Sequence, residues 1–197
     1  SRGLGDVYKR QTIGSKCGIR ADFHEPLEVE YEIIITPKMS FGTGHHATTY
    51  GMMEAMLSLD FQEKRVLDMG CGTAILAILA HQLGSNEIDA IDIEEWAYNN
   101  SLENISMNGS SNIVVHKGGK EKIEGEFDII LANINRNILI QDMYAYSSHL
   151  LQGGLILFSG FYEQDLDLIM QEAKIQGLKY INHNSKNNWV TAKFQKL

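Results

Sequence analysis

Apolar positions along this chain recur with two periods, and the alternation between them outlines a fold. Val29 to Thr36, "VEYEIIIT", is a β-branched run that predicts a strand ending at Pro37. From Thr48 to Leu59, Met52, Met53, Met56 and Leu57 recur at helical spacing, with Thr48 or a neighbour as cap. Lys64 to Ser85, "KRVLDMGCGTAILAILAHQLGS", opens as a buried strand, turns at its glycines and continues as a helix with an apolar face. "EIDAIDI" (Glu87–Ile93) is a strand, and "EEWAYNNSLENISMNG" a helix stopped by Gly109. "NIVVHK" and "EFDIILANI" (Glu126–Ile134) are strands, the second so continuously apolar that it belongs at the centre of a sheet. A helix over "NRNILIQDMYAYSSHLL", a strand over "GGLILFSG" and a helix from about Glu163 to Gln176 follow. "LKYINHNSKNNWVTAKF" closes the chain as a hairpin.

Strands alternating with helices predict an α/β fold: a doubly wound, mostly parallel Rossmann-like sheet, with a C-terminal antiparallel hairpin near one edge. Ligands of such sheets sit at the carboxyl ends of the strands. At 197 residues the chain is long enough for one sizeable core. The first eleven residues, "SRGLGDVYKRQ", lack hydrophobic periodicity and carry a net charge of +2. They are read as a non-native leader, 1–11, ahead of a single domain, 12–197. The whole chain carries −8, which argues against a broad nucleic-acid-binding surface. No apolar run approaches the roughly 20 residues of a membrane span, and no signal-peptide pattern opens the chain. With two unpatterned cysteines, Cys17 and Cys71, the expectation is a soluble protein of a reducing compartment.

Four places carry candidate chemistry. "VLDMGCGTA" (Val66–Ala74) sets a Gly-x-Gly turn between a strand and a helix, where Gly70 and Gly72 allow a sharp bend and close approach of a ligand. Position 75 is Ile, so a full dinucleotide fingerprint is absent, and no Gly-Lys-Ser/Thr makes it a P-loop. Asp92, at the end of the next strand, can accept both hydroxyls of a ribose; it can equally cap the helix that follows. NAD and S-adenosylmethionine both use such an acid. Asn133 closes the apolar strand "EFDIILAN", either as a cap for the next helix or as an amide whose oxygen orients a substrate amine. The loop "MSFGTGHHATT" (Met39–Thr49) reads on composition as a phosphate cradle, a metal site or a pocket edge. It lacks the P-loop lysine, and the adjacent His45 and His46 diverge in an extended loop, so no metal site is expected.

"FGTGHHATT", "VLDMGCGTAILAILA", "AIDIEEWA", "LANINRNIL" and "LILFSGFYEQ" occur in the order found in the ribosomal protein L-eleven methyltransferase family, which the chain resembles from about Thr12 to its end. The resemblance implies a class I, S-adenosylmethionine-dependent protein methyltransferase. It implies that Thr49 contacts the cofactor from a lid-like segment, with Gly42 and Gly44 letting the loop fold over. Gly70 would lie beneath the methionine part and Asp92 at the ribose, with Asn133 at both cofactor and substrate amine as the catalytic position; Asp68 and Gly72 would support them. The implied reaction is methylation of lysine side chains and the α-amino group of a free ribosomal protein in the bacterial cytoplasm, with no direct nucleic-acid or membrane binding.

The sequence departs from the family pattern at several points. Ala74 stands at a frequent third glycine, His45-His46-Ala47 replaces Thr-His-Pro, and Glu94-Glu95 replaces Asp-Pro after the ribose acid. The loop "HKGGKEK" lacks the acid that many methyltransferases place near adenine. Almost none of the family's N-terminal recognition domain is in this sequence. The competing functions are therefore a small-molecule or nucleobase amine methyltransferase, a nicotinamide dehydrogenase, and a cofactor-binding fragment inactive without that domain.

Overall fold

The computed structural model describes residues 10–36 and 46–197. Its centre is a seven-stranded sheet built from β4 (Arg65–Met69), β5 (Glu87–Asp92), β6 (Ile113–Lys117), β7 (Phe127–Asn133), β8 (Leu150–Tyr162), β9 (Leu178–Lys186) and β10 (Trp189–Lys196). Their spatial order is β6-β5-β4-β7-β8-β10-β9. The first five are parallel, and β10 pairs antiparallel with both β8 and β9, as the hairpin reading expects. The apolar run at β7 occupies the middle of the sheet. There each residue must face a packed layer, and no position alternates to water.

Alternate side chains of the central strands feed two separate cores. Val66, Ile129, Leu131 and Leu157 point to one face, where they meet α1 (Ala47–Met56), α2 (Ile75–Gln82) and Ile105 of α3 (Glu95–Met107). Leu67, Ile130, Ala132, Ile156 and Phe158 point to the other, against α4 (Arg136–Ser148) and α5 (Leu166–Ile175). Met52, Met53 and Met56, the methionine stripe of α1, are fully buried in the first core. The α2 and α3 crossovers lie on one face and the α4 crossover on the other. The sheet order therefore reverses between β4 and β7, and a crevice opens at the carboxyl ends of those strands.

A second, three-stranded sheet packs on the first core. It joins β1 (Gln11–Ile13), β2 (Cys17–Arg20) and β3 (Tyr31–Ile34) in sequence order, with β1 antiparallel and β3 parallel to β2. The run at 29–36 is thus a strand, of a sheet separate from the large one. Gln11, in the stretch read as a leader, pairs with Ile19. The other departures concern caps. Helix α1 is capped by His46, whose Nδ1 accepts the Thr48 amide at 3.3 Å. Glu94 and Asn135 stand at the caps of α3 and α4, so neither Asp92 nor Asn133 serves as one.

One position shows how tightly the crevice is built. Gly160 in β8 has φ +97°, and a Cβ there would lie 2.1 Å from the Ile134 carbonyl oxygen. The obstacle is backbone, which cannot rotate away as a side chain can. Gly160→Ala should lower unfolding stability by more than about 2 kcal/mol in urea titration. A loss within a few tenths of a kcal/mol would show that β8 and the β7–α4 connection separate freely.

Candidate active site

The strand ends converge on a cavity of about 500 Å³. Thr49, Asp68, Gly70, Gly72, Asp92 and Asn133, the six positions singled out from sequence, all line it. They come from α1, β4, the β4–α2 turn, β5 and β7, so their proximity is a product of the sheet order. Residues 37–45, which include Gly42, Gly44 and His45, lie outside the described residues, and the lid-like reading of that loop with them.

The β4–α2 turn is shaped by contacts with the strands on either side. Gly70 has φ +70°, and a Cβ on it would come within 2.3 Å of Ile134 Cγ2, so a side chain is excluded by conformation and by space. Gly70 and Cys71 both donate their amides to the Ile91 carbonyl, at 2.8 and 3.0 Å. The Asp92 carboxylate then ties the ends together: Oδ2 accepts the Gly72 amide at 2.9 Å and Oδ1 the Glu94 amide at 3.0 Å. Ala74, at the family's third glycine, adopts φ +63° to start α2. A left-handed alanine costs roughly 1–2 kcal/mol, so this departure bears on the backbone of the turn as well as on the space a methyl takes.

At the end of β7, Asn133 Nδ2 lies 3.5 Å from Thr49 Oγ1, the outer limit of a hydrogen bond. Its Oδ1 is buried and has no hydrogen-bond partner among the described residues. A buried amide oxygen without a donor is costly, and such an orphan beside a cavity marks a place for a ligand donor. Beyond this end lies an aromatic group. The His46 ring meets Trp189 edge-on at 4.9 Å, and Trp189 lies 4.1 Å from Tyr162.

The model of the family described as Ribosomal protein L11 methyltransferase (PrmA) matches residues 3–197. This chain belongs to that family. Its relatives include the ribosomal protein L11 methyltransferase of Phocaeicola vulgatus, 47% identical over 192 residues, covering 96% of this chain and 68% of that protein. The Porphyromonas gingivalis protein of the same name is also 47% identical, with 66% of its length covered. A crystal structure of ribosomal protein L11 methylase from Lactobacillus delbrueckii subsp. bulgaricus superposes with a TM-score of 0.87 at 27% identity, over 96% of this chain and 99% of that one. A Pyrococcus furiosus methyltransferase shares the fold, with a TM-score of 0.71 at 19% identity. Membership brings methyltransferase activity to the chain, and the Rossmann-like sheet is the one such enzymes share.

For a methyltransferase of this family the electrostatics of the cavity are informative. Asp68, Asp92, Glu94 and Asp142 line it. Asp68 is fully buried, and burial raises its carboxyl to about 7, opposed by the Ala77 amide that donates to Oδ2 at 3.1 Å and reinforced by the nearby Asp92 charge. Cys71 lines the same turn, but burial and then the Asp68 and Asp92 charges push its thiol well above the ordinary value. It is a packed thiol and no nucleophile. Among the lining residues that sequence reasoning did not single out are Ile93, Trp96, Gly119, Ile138, Gln141 and Asp142. Their signal was weak, because each sits on a helix or turn whose facing direction no local pattern specifies.

The Asp68 shift predicts a pH dependence. Its folded-state value lies above the ordinary 3.8, so between about pH 4 and 7 the folded protein keeps a proton that the unfolded chain releases. The contribution is most favourable below pH 4, is lost as pH rises towards 7 and is flat above. Urea unfolding at pH 5 and pH 8 should therefore show the wild type losing stability relative to Asp68→Asn at the higher pH. A difference that does not change with pH would remove the buried, protonated carboxyl.

Proposed function

We propose that this chain is an S-adenosylmethionine-dependent N-methyltransferase acting on lysine side chains and the α-amino group of a large-subunit ribosomal protein, L11. The relatives' names support the acceptor, and the cavity supports the chemistry. Asn133 is the observation that carries the reading: a neutral amide whose buried oxygen has no partner among the described residues, closing the central strand beside the cavity.

The residues present fit the cofactor. Asp92 is placed to accept ribose hydroxyls, Gly70 leaves room beneath the methionine portion, and Asp68 and Gly72 support the turn. The acidic lining suits a ligand that carries positive charge. Bound there, S-adenosylmethionine supplies a sulfonium-activated methyl group. Asn133 Oδ1 accepts an N–H of the incoming amine, and Thr49 limits rotation of the Asn133 amide from the other side. A lysine must shed its proton before its lone pair can attack, because the ammonium form has none. The protein's task is orientation, which an in-line transfer rewards strongly.

The acceptor acts as a free protein in the bacterial cytoplasm, and nucleic acid and membrane play no direct part in this reading. No helix among the described residues is long and apolar enough to cross a membrane.

The reading is tested by calorimetric titration with S-adenosylhomocysteine and, separately, NADH, followed by mass spectrometry of purified L11 after incubation with S-adenosylmethionine. Binding of the first and added methyl groups on L11 amines are expected; binding of NADH alone would overturn the reading. Asn133→Ala should lower turnover roughly 100-fold, with S-adenosylhomocysteine affinity changed less than about threefold. Equal loss of both would reject the substrate role of Asn133.

A further inference from the structure

One rim of the cavity is closed by a contact between the turn after β6 and helix α4. Lys120 Nζ lies 2.5 Å from Asp142 Oδ1, and Gly119, Gln141 and Asp142 all line the cavity. Apolar surface lines it too, from Ile93 and Trp96, which remain 62% and 44% exposed, and from Ile138. An apolar slot edged by a carboxylate fits a planar heteroaromatic base with a hydrogen-bond donor on its rim.

Of the connection after β6, only Gly119 lines the cavity, and none of its acids, Glu121, Glu124 and Glu126, does. Glu121 turns back to accept the Gly119 amide at 2.8 Å, which also occupies that backbone donor. The Asp142 side chain is only 12% exposed. Lys120 takes its Oδ1, and no residue among those described hydrogen-bonds its Oδ2. We propose that Asp142, positioned by Lys120, selects the base of the cofactor, with Oδ2 accepting from the exocyclic 6-amino group of adenine. This rests on reading the cavity as an S-adenosylmethionine site. It moves base selection from the β6 turn, whose Glu121 is turned back onto Gly119, to a helix on the far side of the sheet's switch point.

The chemistry makes a sharp distinction. An ionised carboxylate only accepts hydrogen bonds. A 6-amino purine offers it a donor, whereas a 6-oxo purine presents an acceptor oxygen that repels it. Asparagine at the same position could donate to the 6-oxo group and would reverse the rule.

The test is calorimetric binding of S-adenosylhomocysteine and of S-inosylhomocysteine, its 6-oxo counterpart, to the intact protein and its variants. The wild type should prefer the adenine ligand roughly 10- to 100-fold, the range for a hydrogen bond to a charged group. Asp142→Asn should bring the two affinities within about threefold or invert them. Asp142→Ala, a second variant should the first fold poorly, should weaken the adenine ligand alone. A wild type that binds both ligands equally, or a variant that keeps the full preference while still binding S-adenosylhomocysteine, overturns the role of Asp142 and leaves the cofactor site standing. Failure of the wild type to bind either nucleoside removes both readings.

Discussion

The site depends on one carboxylate that holds two strands' ends to each other. Asp92 takes the Gly72 amide with one oxygen and the Glu94 amide with the other, so the β4–α2 turn and the start of α3 share a single anchor. The Ile91 carbonyl next to it takes the Gly70 and Cys71 amides. A turn that carries Gly70 and Gly72 at positive φ has little conformational preference of its own. These four bonds convert that freedom into one shape, which Ala74 completes in a left-handed conformation unusual for alanine. The acid that would face a ribose is thus also the acid that builds the turn under it, and its two oxygens keep lone pairs for further donors.

That dual duty explains why the sequence could locate Asp92 and Asn133 without choosing among their roles. Each ends a strand just before a helix, and at such a position a cap and a ligand contact look alike in one dimension. Three-dimensional structure separates them, because the Asn135 side-chain oxygen accepts the Ile138 amide as the cap of α4 and Glu94 occupies the cap of α3. The parallel strands were legible from their apolar runs, since burial on both faces leaves no other reading of "EFDIILAN". Strands β1 and β2 were not, because three or four residues rich in Gly, Thr and Arg carry no period. Lys120 and Asp142 were invisible for a different reason. They are 22 positions apart on elements that meet only because the crossovers lie on opposite faces of the sheet.

The charge distribution around the cavity follows from the same geometry. Strand ends in a parallel sheet converge, so acids that each have a local purpose are brought near one another. Asp68 receives the Ala77 amide at the start of α2, Asp92 anchors the turn, and Asp142 pairs with Lys120. Three carboxylates in one partly buried crevice cannot all ionise without cost. The one with the least solvent and only one hydrogen bond, Asp68, is the one whose carboxyl is raised to about 7. Burial is the main cause of that rise, and the neighbouring Asp92 charge adds to it.

The Asn133 end of the cavity, the transfer end in the proposed reading, is built on another principle. Asn133 and Thr49 are neutral side chains, and neither gains or loses a proton as Asp68 does. A methyl transfer to an amine needs no acid or base in contact with the moving carbon; it needs the nitrogen lone pair aimed along one line. A stiff side chain at the end of the central strand of a seven-stranded sheet is the most rigidly placed group this fold offers, because β7 is bonded on both sides and packed on both faces. On the proposed reading, charge at the cofactor end and fixed neutral geometry at the acceptor end are complementary uses of one crevice. The sheet order, which puts the ends of β5 and β7 on either side of β4, is what keeps them apart.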